Sequence, residues 1–155
     1  MDWSRYRFHS VWTLPAPPHT VFAVLSDIRA YPAWWPQVRE VATRDGTSGS
    51  ARFRSLLPYD LVVTAHEERN EPGTGILQIR MRGDLDGWAR WRVAAAAPGV
   101  TRAVYDQDVE VRKPLMRRLA VPCRPVFRLN HALMMRAGRR GLIALLTDGS
   151  RPAPH

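Results

Sequence analysis

Six stretches between residues 38 and 111 alternate apolar with polar side chains, and a turn former divides each from the next. Asp45-Gly46, Pro58, Pro72-Gly73, Gly83-Asp84 and Pro98-Gly99 separate them. The spacing predicts strands near 38–44, 50–57, 60–70, 74–83, 87–97 and 101–111. Connections this short cannot hold a crossover helix, so these strands form an antiparallel meander. An earlier stretch, "RYRFHSVWTL" at 5–14, puts Tyr6, Phe8, Ser10, Trp12 and Leu14 on one face and adds a seventh strand.

Charge tells the two faces apart. Arg80 and Arg82 share a face, as do Arg90 and Arg92, and so do Asp106, Asp108 and Glu110. Adjacent strands would join these into a cross-strand ladder on the wet side, which makes the acidic row sheet surface rather than a metal site. The opposite faces carry Leu77, Ile79 and Met81, then Ala89, Trp91 and Val93, then Ala103, Tyr105, Gln107 and Val109. A sheet with one dry face needs a cover.

The C-terminal segment supplies it. Residues 114–121 predict a short helix, broken by Pro122 and Pro125. From Val126 to Leu146 the periodicity is helical, with Val126, Phe127, Leu133, Met134, Ala137 and Leu145 projected onto the core face and Arg128, Arg136 and Arg139 opposite. About 20 helical residues span ~30 Å, enough to cross a sheet of this size. Two short helices are expected after the first strand, over Pro18–Ser26 and Arg29–Trp34. The fold class is therefore α+β, one domain over residues 1–150 with a short tail at 151–155. A curved sheet around one helix cannot close tightly everywhere, and the gap left would suit an apolar small molecule.

Residues that break the inward pattern are the candidates for contact with that molecule. Asn130 projects among Val126, Leu133 and Ala137, and Gln107 faces inward on its strand. Each must find a polar partner, in the protein or in a ligand. Trp91 and Tyr105 make an aromatic wall, with Met81, Phe127 and Met134 around it, and His131 lies on the flank of the long helix near a pocket mouth. In "AYPAWWPQV" at 30–38 the indoles of Trp34 and Trp35 would point ~100° apart on a helical turn. One should pack inward and the other sit at the entrance; periodicity leaves open which. His66 and Glu68 share the polar face of their strand and are read as surface.

No nucleophile elbow, P-loop, dinucleotide fingerprint or zinc-helix motif occurs. Cys123 is the single cysteine and has no evident histidine partner; the five histidines lack ligand spacing. No metal and no cofactor are expected. The net charge of +9 is local: residues 1–110 hold 13 Arg and 13 acidic groups, whereas 111–155 hold nine Arg, Lys113 and only Asp148. Arg112, Lys113, Arg117, Arg118, Arg124, Arg128, Arg136, Arg139 and Arg140 form a basic segment suited to an anionic membrane surface or an acidic partner. Nucleic acid is disfavoured, since no reader motif is present. With no apolar leader stretch and no apolar run near the ~20 residues a span requires, a cytoplasmic location is expected.

The segments "LPAPPHTVFAVLSDIRAYPAWWPQVREV" (14–41), "GDLDGWARWRV" (83–93) and "KPLMRRLAVPCRPVFRLNHALMMRAGRRGL" (113–142) resemble the polyketide cyclase/dehydrase and lipid-transport family, over about residues 3–147. That family belongs to the helix-grip, START-like (SRPBCC) superfamily, and the ending is similar to a bacterial subgroup. The resemblance implies a helix-grip fold: a curved antiparallel sheet of about seven strands wrapped around a long C-terminal helix, with two short helices after the first strand. It also implies a cavity for a lipid, polyketide or quinone-like molecule, and members of the family range from carriers to cyclases and aromatases. Fold cannot choose among such activities. Three readings follow: a binding protein for a hydrophobic or aromatic small molecule, a cyclase or aromatase, and a peripheral membrane or partner-binding protein.

Overall fold

The architecture is given by a computed structural model, which describes residues 5–43, 48–54, 60–112, 118 and 124–148. Strand β1 (Arg5–Leu14) leads into helix α1 (Pro18–Ser26), a 3-10 turn (Ile28–Ala30) and helix α2 (Tyr31–Trp34). Six strands follow: β2 (Val38–Thr43), β3 (Ser48–Arg54), β4 (Asp60–Glu71), β5 (Ile76–Gly83), β6 (Leu85–Ala97) and β7 (Val100–Val111). The long helix α3 (Arg124–Asp148) ends the described chain. The expected turns at Asp45-Gly46 and Pro58, the short helix over 114–121 apart from Arg118, and Cys123 lie outside the described residues.

All seven strands form one antiparallel sheet in the order β1-β7-β6-β5-β4-β3-β2. The meander runs from β2 to β7, and β1 returns to pair with β7 along its whole length, Arg5 opposite Glu110 and Leu14 opposite Thr101. Bulges at Val38–Glu40 in β2, Glu67–Arg69 in β4 and Ala95–Ala97 in β6 bend the sheet.

The period of two sorts the faces as the sequence requires. Outside, Asp108 accepts from Arg5 at 2.8 Å and Arg7 at 3.1 Å, while Asp106 accepts from Arg92 at 3.1 Å and bonds His9 at 2.6 Å. The ladder thus extends past β6 and β7 onto β1. His66 is exposed on the same outer face. Inside lie Tyr6, Trp12, Val63, Met81, Trp91 and Val109, all nearly inaccessible to solvent.

Helix α3 covers this face with only part of the side predicted: Phe127 is buried and Met134 packs on the core as expected. Phe127, Met135, Leu142 and Leu146 are buried, whereas Val126, Leu133 and Leu145 are 49%, 38% and 40% exposed. The helix is rotated by about a quarter turn from the expected phase. The reason is its contact with the tryptophan corner. A Cβ on Gly138 would lie 2.5 Å from Cε2 of Trp35, and one on Gly141 would lie 1.7 Å from the Trp34 carbonyl oxygen. Only the glycine edge of α3 admits these two residues, so that edge must face inward.

The corner itself also differs from expectation. Trp35 is not helical: as the C-cap of α2 it takes φ −113° and ψ 100°. The two indoles therefore stack, 5.4 Å apart at 23°, and both are buried. Trp35 Nε1 donates to the Met134 carbonyl at 2.9 Å, pinning α3 to the corner. Neither ring is an exposed lid.

Candidate functional site

Two apolar clusters hold the sheet and helix together. One gathers Trp12, Leu14, α1, the tryptophan corner and Leu142 and Leu146 of α3; the other gathers Tyr6, Val63, Met81, Val109 and Phe127. Between the inner sheet face and the first half of α3 lies a cavity of about 180 Å³. Its walls are almost wholly apolar, with Phe53, Leu61, Ile79 and Ala89 from the sheet, Ile28 from the 3-10 turn and Tyr31 from α2. Among the described residues, no charged side chain lines it.

The candidate residues separate cleanly. Trp35, Met81, Trp91, Tyr105, Gln107, Phe127, Asn130, His131 and Met134 line the cavity. Trp34 does not; it packs behind Trp35 against Tyr31, 4.8 Å away. Asn130 is half-buried at the cavity edge rather than at the centre of the covered face, a consequence of the rotation of α3. His131 is half-buried as well, on the same wall.

Rings run through the site in an unbroken series. Trp35 meets Trp12 at 5.8 Å, Trp12 meets Trp91 at 4.7 Å, and Trp91 meets Tyr105 at 4.7 Å. Tyr105 approaches His131 at 6.3 Å, and His131 lies flat on Phe8 with centroids 3.5 Å apart and planes 6° apart. Offset and edge contacts of this kind add roughly 0.5–1.5 kcal/mol per pair beyond area burial. They give the cavity rigid aromatic walls.

One polar cluster interrupts them. The hydroxyl of Tyr105 donates to Gln107 Oε1 at 2.7 Å, and His131 Nε2 lies 3.0 Å from the same oxygen. An amide oxygen only accepts, so this contact is a hydrogen bond in the tautomer that carries its proton on Nε2. Gln107 is 7% exposed and comes from the centre of β7, between Phe8 of β1 and Ala89 of β6 in the register. Alanine at that neighbour leaves space directly beside the amide.

Burial also sets the ionisation. It pushes the Tyr105 hydroxyl above its ordinary range and lowers His131 from 6.5 to about 4. His131 is therefore neutral at pH 7, and a base this weak is poorly matched to proton abstraction near neutrality. The unfolded chain takes up its proton near 6.5, while the folded protein resists it until about 4. Stability contributed by the neutral ring is present above 6.5 and is lost as pH falls from there toward 4. A His131→Phe variant, which keeps the stack on Phe8, should show a flatter decline of urea midpoint over that window. An unchanged slope would show that His131 titrates normally.

Sequence reasoning passed over several wall residues. Phe8 and Tyr6 were already on the inward face of β1 by alternation, so their signal was present. Tyr31 opens the four-residue helix α2 and Phe53 stands next to the last residue of β3, both too close to an element end for periodicity to place, and Met135 was hidden by the phase of α3. A second, more polar recess of about 220 Å³ adjoins the cavity, lined by Asp27, Arg29, Thr43, Ser50 and Glu67. It shares Ile28, Val41, Ala51, Ala65 and Ile79 with the cavity wall. Arg29 Nε donates to Thr43 Oγ1 across it at 3.0 Å.

The same architecture occurs in solved structures. TTHA0849 of Thermus thermophilus superposes with a TM-score of 0.77 at 16% identity, covering 94% of this chain and 100% of that one. The Zhui aromatase/cyclase of a Streptomyces gives 0.72 at 14% identity, with 95% and 96% covered. A START superfamily protein of Mycobacterium smegmatis gives 0.59 at 21%, with 84% and 96% covered. At these identities the likeness is one of fold. No curated protein sequence matches the chain. The family model for polyketide cyclase/dehydrase and lipid transport matches residues 5–144, and the chain, with its seven-stranded sheet gripping one long helix, belongs to that family.

Proposed function

We propose that this protein binds a hydrophobic, aromatic-sized small molecule in the cavity between sheet and α3, as a carrier or sensor. The observation that carries this reading is the uncharged aromatic cavity itself. Burying an apolar ligand there removes water from both surfaces at ~25 cal/mol per Å², and the rigid rings need little reordering to receive it. Cyclase or aromatase chemistry, the competing reading, needs a proton acceptor in reach of substrate. His131 is a weak one, and no carboxylate lines the cavity among the described residues. Trp35 and Trp91 both face the cavity, so occupancy should alter their fluorescence. Titration with the neutral probe N-phenyl-1-naphthylamine should show saturable one-to-one uptake with quenching of indole emission. Native mass spectrometry of gently purified protein should reveal a co-purifying organic molecule. No saturable uptake together with an empty protein would remove the binding reading.

A specific observation also favours contact with an anionic membrane. Val126, Leu129 and Leu133 lie at i, i+3 and i+7 on the outer pole of α3, 49%, 57% and 38% exposed. Arg128, Arg136 and Arg140 are exposed around them. Aliphatic side chains ringed by arginine suit an interfacial helix on anionic lipid. No helix among the described residues is long and apolar enough to cross a membrane. Co-flotation with phosphatidylglycerol-containing vesicles at physiological salt, abolished in Leu129→Glu, is the expected result; failure to float excludes this second reading.

A further inference from the structure

Glu67 breaks the inward pattern of β4. Leu61, Val63 and Ala65 alternate into the cavity wall, and Glu67 takes the next inward place, half-buried on the lining of the polar recess. The bulge over Glu67–Arg69 starts at this residue, and bulges re-aim the side chains beside them. Its carboxylate is only partly engaged. Asn70 Nδ2 donates to Oε2 at 3.3 Å, and no other hydrogen bond or ion pair reaches it among the described residues. Arg69 is paired with Glu71 instead. A carboxylate accepts through two oxygens, so capacity for a donor remains. The way to it from the cavity runs along the sheet. Ile79, opposite Glu67 in the β4–β5 ladder, lines both spaces, as does Ala65 two residues back on the same face. Ala51 also borders both, and Gly49 stands opposite Ala65. On β3 and β4 the floor between the two voids thus carries nothing bulkier than a methyl group.

We infer that the recess is a second compartment of the binding site, and that Glu67 receives the uncharged, hydrogen-bond-donating end of a ligand longer than the cavity. The inference rests on the binding reading above and extends it. The apolar body of the ligand fills the cavity, a slender middle crosses the floor at Ala51 and Ala65, and a terminal hydroxyl donates to Glu67. An anionic end is disfavoured, because Asp27 and Glu67 outnumber Arg29 in the recess and Arg29 Nε is already held by Thr43. A wholly apolar ligand would press its end against a carboxylate and strip it of water without replacing the lost hydrogen bonds.

The test is displacement of N-phenyl-1-naphthylamine by naphthalenes carrying a tail: 2-(2-naphthyl)ethanol, 6-(2-naphthyl)hexan-1-ol, the methyl ethers of both, and 6-(2-naphthyl)hexanoate. The hexanol should bind about tenfold tighter than its methyl ether, which keeps the oxygen but has no proton to donate. The same comparison between the ethanol and its ether should show no preference for the alcohol, because the short tail ends inside the cavity. Both ratios are read in the unmodified protein. In Glu67→Leu the alcohol-to-ether ratio of the longer pair should fall to about one, and Glu67→Gln, whose amide oxygen still accepts, should restore part of it. Ala65→Leu, which fills the floor between the voids, should remove most of the advantage of hexanol over ethanol. Equal binding of the hexanol and its ether, or a hexanol no tighter than the ethanol, overturns the second compartment and leaves the binding reading standing. Tighter binding of the hexanoate than of the hexanol overturns the assignment of the ligand's end. If no probe displaces the dye, the binding reading falls and the compartment with it.

Discussion

Replacing Gly141 by alanine is expected to destabilise the protein by more than about 3 kcal/mol, although the same change in most helices stabilises by about 1 kcal/mol. The sign reverses because of one contact. The new Cβ would stand 1.7 Å from the carbonyl oxygen of Trp34, which is main chain and cannot rotate aside. Helix and corner would have to separate, breaking the Trp35–Met134 hydrogen bond and opening the larger apolar cluster. Gly138→Ala should be milder, since the obstructing atoms belong to the Trp35 side chain. Gly73→Ala, where nothing lies within 4 Å, serves as the control and should stay within ~0.5 kcal/mol. Urea denaturation of the three variants measures all of this. A Gly141→Ala protein as stable as its parent would mean that the corner does not clasp α3.

The second large effect is on binding. Ala89→Phe should abolish uptake of N-phenyl-1-naphthylamine, by about a hundredfold or more, while leaving the melting temperature unchanged or raised. Ala89 lies on the cavity floor between Ile79 of β5 and Gln107 of β7 in the ladder. A phenyl ring there occupies the space beside the amide and fills void that the native fold leaves open. Opposite signs for binding and stability separate a ligand cavity from ordinary imperfect packing. Retained affinity in a folded Ala89→Phe protein would place the bound probe elsewhere.

These expectations differ in how far the sequence alone could have supported them. The strand set, its faces and its order as a meander were legible, because a period of two leaves little freedom once Arg90, Arg92, Asp106 and Asp108 must all be wet. Gln107 and Tyr105 could be placed inward for the same reason. The phase of α3 could not be read, because the helix carries two apolar stripes. Val126, Leu129 and Leu133 make one; Phe127, Met135, Leu142 and Leu146 make the other. Periodicity scores both alike. The choice is steric and belongs to partners more than 90 residues away: Trp34 and Trp35 need the edge of α3 that has no side chains.

The tryptophan pair shows the same division. A helical step of ~100° separates adjacent side chains only while the backbone stays helical. Trp35 leaves the helix as its cap, so the rings stack and Trp34 passes behind the cavity wall. The composition of the cavity was therefore written in the sequence, since apolar alternation on β1 and β4–β7 could face nowhere else. What only the tertiary structure decided is the meeting of Gln107 with His131, 24 residues apart on elements whose contact depends on how α3 is turned. Local patterns report which side of an element is dry. They do not report which dry surfaces touch, because that is set by shape complementarity between distant parts of the chain.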